Sequence, residues 1–389
     1  MSVPKRHRVW LVAGEESGDQ LGAKLIWALR RRLGDDAVEF RGVGGERMQA
    51  AGLNSVFPMS DIAVMGILPV LRKLPAILRR VYRSVDAAIA DKPEVLVAID
   101  SPDFTHAVAK RVRKRQPALP IVDYVSPSVW AWRPGRARKM RAYVDHLLAL
   151  LPFEPAAHER LGGPATTYVG HPLIERLDEL RASPGERTRL GEGPIELLVL
   201  PGSRRSEISR LLAPFGAALG QVVARAEAPV ELTLPAVSHL GRDIEAAVRS
   251  WPVRPRIVYG EAEKHAAFRK AHAALAASGT VTLELALAGV PMVVAYKVSK
   301  LEEQLKHVIT VSSIVLPNLI LGDNAVPELI QQDCTPDKLA AGLLPLLRNT
   351  AERTRQLEAF GRLDALMATG EEQPSERAAR IVCEVAGLG

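Results

Sequence analysis

The sequence predicts an α/β protein of two Rossmann-like halves, each a doubly wound, mostly parallel sheet, followed by C-terminal helices. Three observations predict it. Short apolar runs alternate with longer amphipathic ones through the first half of the chain. A stretch rich in Gly, Pro and charge, RASPGERTRLGEGP from Arg181 to Pro194, then interrupts the rhythm, and after it the rhythm restarts. The bounds that follow are residues 1–180 for an N-terminal domain, 181–194 for a linker, 195–347 for a second domain and 348–389 for terminal helices.

In the first half the predicted strands are 8–13, 37–43, 95–99, 120–125, 146–151 and 166–169, with helices over 20–33, 104–115 and 134–143. In the second half they are strand 195–200, helix 207–226, strands 230–234, 256–259 and 273–277, helix 280–287 and strand 291–296. Beyond that the chain reads as helical to its end. Open sheets of this kind bind ligands at the carboxyl ends of their strands, so the active site is expected in the cleft between the halves.

Composition narrows the function classes. At roughly 100 to 200 residues per domain, 389 residues fit two domains, and 47% hydrophobic with 24% charged residues excludes a disordered or fibrous chain. Two cysteines, Cys334 and Cys383, exclude a disulfide scaffold and fit a reducing cytoplasm. The N-terminal apolar run, Val9 to Ala13, is too short for a secretory signal, and no stretch reaches the ~20 residues of a spanning helix. The net charge of +7 is unevenly placed. Residues 62–85 hold Arg72, Lys73, Arg79, Arg80 and Arg83 with no acid, and residues 109–141 hold ten basic residues against Asp123. Such a balance fits nucleic acid, an anionic membrane or a phosphorylated substrate.

Five motifs carry chemistry. AGEESGDQLGA, 13–23, follows the first strand; Gly14 and Gly18 permit a tight turn, and Ser17 with Gln20 has capping-box spacing, which also fits an ordinary strand-to-helix turn. VLVAIDSPDF, 95–104, delivers Asp100 to a strand's carboxyl end, where it is a candidate general base or a structural N-cap. LLVLPGSRRSEI, 197–208, places Ser203 and Arg204 before a helix, a diphosphate-binding arrangement or a solvated basic turn. ALAASGTVTLELALAGVP, 274–291, brings Ser278, Gly279 and Thr280 to a second phosphate-type turn. Glu284, one helical turn on, is a candidate for ribose hydroxyls or a surface residue. The fifth, IAVMGILPVLRKLPAILRRVYR, 62–83, sets Met65, Ile67, Leu68, Leu71 and Leu74 beside Arg72 and Lys73. It reads as a segment settling on an anionic lipid interface or as a core helix with a basic edge. No DxD or HExxH motif occurs, so no catalytic metal or other cofactor is expected. His171, in VGHPL, reads as structural or functional with equal ease.

AGEESGDQLGA, FRGVGGERMQAAG, IAVMGILPVL, AIDSPDF, YVSPSVWAWR, LPFE, YVGHPL, LPGSRRSEI, ASGTVTLE, PMVVAYKV and LPNLILG, in that order, resemble the lipid-A-disaccharide synthase family from about Val9 to about Leu347. The resemblance implies a GT-B architecture and an inverting, metal-independent glycosyltransferase. That enzyme joins UDP-2,3-diacylglucosamine to 2,3-diacylglucosamine 1-phosphate and releases UDP and a β-1,6 disaccharide. It implies Asp100 as base for the acceptor hydroxyl and Ser17 as a residue needed for activity. Arg204, Glu284 and Asn318 are similar to the family's UDP or donor-side set. Glu16 departs from the pattern, standing where the family has a small residue. The resemblance further implies peripheral association with the inner face of the cytoplasmic membrane. It also implies terminal helices that return to the first domain and can be exchanged in a homodimer.

Three other readings stay open on the residues alone. A UDP-N-acetylglucosamine 2-epimerase shares the two halves and a UDP site. A nucleic-acid-binding module would use the basic stretches, although the phosphate and ribose motifs speak for a nucleotide ligand and no nucleic acid. A membrane scaffold would perform no chemistry.

Overall fold

The computed structural model describes residues 6–62, 67–298 and 313–389, with the side chains of residues 67–73 outside that description. The chain divides into two compact units: Met1–Glu175 with Thr369–Gly389, and Arg176–Ala368.

The first unit is built on a parallel sheet of seven strands. These are β1 (His7–Ala13), β2 (Val38–Val43), β3 (Leu53–Ser55), β4 (Val95–Ile99), β5 (Ile121–Tyr124), β6 (His146–Ala149) and β7 (Ala165–Tyr168), in the order β3-β2-β1-β4-β5-β6-β7. Successive side chains point to opposite faces, and each face has its own helices. Val9, Leu11 and Ala13 pack with Leu25, Ile26 and Leu29 of helix Glu16–Leu33 and with Ala378, Ala379 and Val382 of helix Pro374–Ala386. Trp10 and Val12 pack on the other face with Val81, Val85 and Ala88 of helix Ile67–Asp91 and with Val108 and Val112 of helix Pro102–Arg115.

The second unit repeats the plan with six parallel strands. They are β8 (Ile195–Leu200), β9 (Val230–Ala236), β10 (Arg256–Tyr259), β11 (Ala273–Ala277), β12 (Met292–Tyr296) and β13 (Glu328–Ile330), in the order β10-β9-β8-β11-β12-β13. Leu197 and Val199 pack against Leu211, Phe215 and Leu219 of helix Arg205–Arg225 and against Leu339 and Leu343 of helix Pro336–Leu343.

Three expectations are corrected here. Beyond Tyr296 the chain is not wholly helical: β13 lies parallel to β12 with Val294, Ala295 and Tyr296 opposite Glu328, Leu329 and Ile330. The stretch 181–194 is no free linker. The Arg187 guanidinium donates to the carbonyls of Phe268, Arg269, Ala288 and Gly289, which builds this stretch into the second unit. The terminal helices do not return as one block. Helix Ala351–Met367 stays with the second unit, where the Gln356 amide donates to the Met292 carbonyl and accepts from its N–H, so only Thr369 onward joins the first.

In both sheets the chain order reverses once. The reversal falls between β1 and β4 in the first and between β8 and β11 in the second. There the crossovers run to opposite faces, which opens a crevice at the strands' carboxyl ends.

Candidate functional site

In the first unit, Ala13 lies opposite Ile99 at the ends of β1 and β4, so the turns after these strands meet. Ser17, in the first turn of its helix, donates its hydroxyl hydrogen bond to Asp100 Oδ2. The other carboxylate oxygen accepts from the Ser101 N–H at 2.7 Å, and the Asp100 carbonyl accepts from the Thr105 hydroxyl at 2.7 Å. Asp100 and Ser101 both have left-handed backbone, at φ 54° and 44°. A non-glycine pair in that region is costly and persists only where its surroundings over-determine it. Glycine makes the approach possible: a Cβ on Gly14 would lie 2.6 Å from Ser101 Oγ. Asp100 does not cap the following helix, whose N-cap is Ser101. Its carboxylate stays at the rim, partly exposed, beside an exposed Ser17.

Neighbouring acids are spent otherwise. Asp19 is buried and accepts from the N–H groups of Gly45, Arg47 and Met48 at 2.7 to 3.0 Å, tying helix Glu16–Leu33 to the turn after β2. Exposed Glu16 pairs with Arg47 at 3.9 Å. His171 is buried: burial pushes its imidazole down to about 4, with the Lys24 charge adding, and its Nδ1 accepts from the Leu173 N–H.

In the second unit, Ser203, Arg204, Ser278, Gly279, Thr280 and Glu284 all line one cleft of about 370 Å³ at the ends of β8 and β11. Buried Glu207 holds the first turn: one carboxylate oxygen accepts from the Ser203 and Arg204 N–H groups, the other from the Arg204 guanidinium at 3.0 Å. Gly202 is required there, with φ 107° and no room for a Cβ, which would fall 2.4 Å from Glu207. Arg204 remains mostly exposed at the mouth. In the second turn the Ser278 hydroxyl donates to the Ile314 carbonyl, and Gly279, at φ 150°, opens helix Thr280–Leu287. Glu284 accepts from Lys264 Nζ at 2.8 Å.

Glu207 and Lys264 were not singled out from the sequence. Glu207 had a signal, an acid three residues after the helix N-cap, whereas Lys264 comes from a separate helix and had none. Asn318 is not brought into the cleft. Its amide donates to the Val326 carbonyl and to Glu328 and accepts from the Val326 N–H, so it ties its short helix to β13. Of the lipid-facing set, Met65 lies outside the described residues, as do the side chains of Ile67, Leu68, Leu71, Arg72 and Lys73. Leu74 is exposed, and so are Leu78 and Tyr82 further along the helix. Among the described residues no helix is long and apolar enough to cross a membrane.

Two parallel-sheet units, each with its first and fourth strands meeting at the switch point, give the GT-B fold. The Calicheamicin Glycosyltransferase has this fold, with a TM-score of 0.58 at 16% identity over 98% of both chains. A UDP-N-acetylglucosamine 2-epimerase aligns with a TM-score of 0.62 at 14% identity over 99% of this chain and 98% of its own, so the fold alone does not choose between transfer and epimerisation. Sequence does. The family model for lipid-A-disaccharide synthetase matches residues 9–382. The lipid-A-disaccharide synthases of Rhodopseudomonas palustris (strain HaA2) and Nitrobacter hamburgensis are 57% and 58% identical over 379 and 380 residues. Both alignments take in 97% of this chain, with 96% and 95% of the relatives. The chain belongs to the lipid-A-disaccharide synthase family, the glycosyltransferases that form the lipid A disaccharide in lipopolysaccharide biosynthesis.

Proposed function

We propose that the enzyme transfers 2,3-diacylglucosamine from its UDP derivative to the 6-hydroxyl of 2,3-diacylglucosamine 1-phosphate, by one inverting displacement. The observation that carries the donor side is a cleft in the second unit whose walls bring together two glycine turns, Arg204 and Glu284. Backbone N–H groups at the start of helix Arg205–Arg225 and the Arg204 guanidinium receive the diphosphate and stabilise charge on departing UDP. Glu284, with Lys264 holding one oxygen, accepts from the ribose hydroxyls.

On the acceptor side, Asp100 takes the proton of the attacking hydroxyl while that oxygen attacks C1 from the face opposite the diphosphate. Ser17 and the Ser101 N–H orient the carboxylate by donating to Oδ2 and Oδ1, and a remaining carboxylate lone pair takes the acceptor proton. Asn318 acts through β13 and the Ser278 turn: Glu328 takes both the Asn318 amide and the Ile314 N–H, and the Ile314 carbonyl takes the Ser278 hydroxyl.

The lipid substrates lie in a membrane, and the helix Ile67–Asp91 supports a peripheral contact. Its exposed Leu74, Leu78 and Tyr82 accompany Arg79 and Arg83, the pattern of a segment lying in an anionic interface. The homodimer reading rests on helix Pro374–Ala386, which packs on helix Glu16–Leu33 and pairs Glu376 with Arg31. An exchanged copy would make the same contacts, and sedimentation velocity reads the stoichiometry directly.

The test of the reaction is mass spectrometry of the product. A tetraacylated disaccharide 1-phosphate formed with one UDP per linkage is the expected result. Sugar epimerisation without lipid, or no UDP release with any substrate pair, contradicts it.

A further inference from the structure

YVSPSVWAWR, the end of β5 and the loop that follows it, takes no part in this mechanism, yet it is held by both backbone and side-chain contacts. It begins one hydrogen bond from Asp100, whose N–H donates to the Tyr124 carbonyl at 2.9 Å. Both of its ends are left-handed without glycine: Val125, β-branched, at φ 91° and Arg133 at φ 52°. Between them it is fastened from below. The Trp130 indole N–H donates to Glu154 Oε1 at 3.0 Å, with its ring edge-on to Phe153 at 5.1 Å. The Ser126 hydroxyl lies 2.8 Å from His158 Nε2. Glu154 is buried, and its other oxygen accepts from the Leu150 and Leu151 N–H groups, which fixes the loop to the end of β6.

What this scaffold presents is Trp132, 43% exposed, with the Arg133 guanidinium 4.2 Å from its ring centroid. An exposed aromatic ring with a guanidinium over one face, on the loop whose Tyr124 carbonyl takes the Asp100 N–H, matches a sugar ring that carries a phosphate monoester. Strain is retained where a ligand needs a fixed geometry; a surface that only rests on lipid has no such need. We propose that residues 126–133 are the acceptor-recognition loop, in which Trp132 stacks on the acceptor sugar and Arg133 binds its 1-phosphate, with Glu154 as the positioning residue. This rests on the reading of Asp100 as the acceptor-side base.

The test is steady-state kinetics with a water-soluble, short-chain acceptor, varied separately from the donor, for Trp132→Ala, Arg133→Ala and Arg133→Lys. Trp132→Ala should raise the acceptor KM about tenfold or more, a stacking contact's worth, with donor KM unchanged. Arg133→Ala should abolish the preference for a phosphorylated over a dephosphorylated acceptor, and Arg133→Lys should restore part of it. Glu154→Gln should move the acceptor KM in the same direction. Parent-like acceptor KM in folded Trp132→Ala and Arg133→Ala proteins overturns the proposal, and so does loss of anionic-vesicle binding with that KM unchanged, which would assign the pair to the membrane. Asp100→Asn, run alongside, separates the two readings. If it loses turnover while the loop variants behave as the parent, the loop inference fails alone; if it turns over normally while they lose acceptor affinity, the base assignment fails alone.

Discussion

Arg204 and Glu154 show how differently two charged side chains are used. Arg204 keeps most of its guanidinium in solvent and is held by Glu207, so it is ready for an anion. A charge-assisted contact of about 1.5–3 kcal/mol makes Arg204→Ala weaken UDP binding about ten- to hundredfold, measured by calorimetry on the second unit's cleft. An unchanged affinity would remove Arg204 from the donor site. Glu154 is enclosed, and burial pushes its carboxyl up to about 7 against the lowering effect of its Leu151, Trp130 and Leu150 hydrogen bonds. Its folded value lies above the ordinary 4.5, so the folded state holds the proton more tightly. The stability this group contributes is therefore full below about 4.5 and lost as pH rises through about 7. Burial lowers neighbouring His158, against the raising effect of the Asp123 charge. Thermal unfolding from pH 5 to 8 should show a falling component in the parent that Glu154→Gln lacks; parallel profiles would contradict the assignment.

At the level of strands and helices, what could be read in the sequence follows from burial. β4, β8 and β11 lie inside their sheets, β4 and β11 as continuous apolar runs and β8 as one broken only by Glu196, and their limits are legible at Val95–Ile99, Ile195–Leu200 and Ala273–Ala277. β3 and β13 are three-residue edge strands, LNS and ELI, too short to show a period, and so the tail reads as helical. The turns at Asp100, Ser203 and Ser278 were legible because glycine or proline marks each. Asn318's role was not, because its partners, Val326 and Glu328, lie eight and ten residues on in a segment without a recognisable strand. Two element-level predictions follow from the packing. Gly14→Ala puts a methyl 2.6 Å from Ser101 Oγ and should displace the Asp100 turn, lowering kcat with UDP affinity unchanged. Changing Leu74 and Leu78 to Ser, both exposed, should leave the melting temperature within a few degrees. It should reduce sedimentation with anionic vesicles, and equal sedimentation would detach this helix from the membrane contact.

For the whole chain, the +7 balance has a location but no single meaning. Lys110, Arg111, Arg136 and Lys139 stand close enough that Lys110 is lowered by burial and then by the other three charges. Such a field weakens with salt, so vesicle binding should fall between about 0.05 M and about 0.5 M salt, while UDP affinity, which also rests on backbone N–H groups, changes less. The proposed reaction divides labour between the units: the second holds the nucleotide, and Asp100 of the first removes the acceptor proton. Glycosyl transfer by Asp100→Asn tests it most directly, with the disaccharide quantified by mass spectrometry beside UDP affinity of the same preparation. Turnover should be lower by about 10² to 10⁴ with UDP bound as tightly as by the parent; turnover within about threefold of the parent, in the same folded protein, would rule out Asp100 as the base.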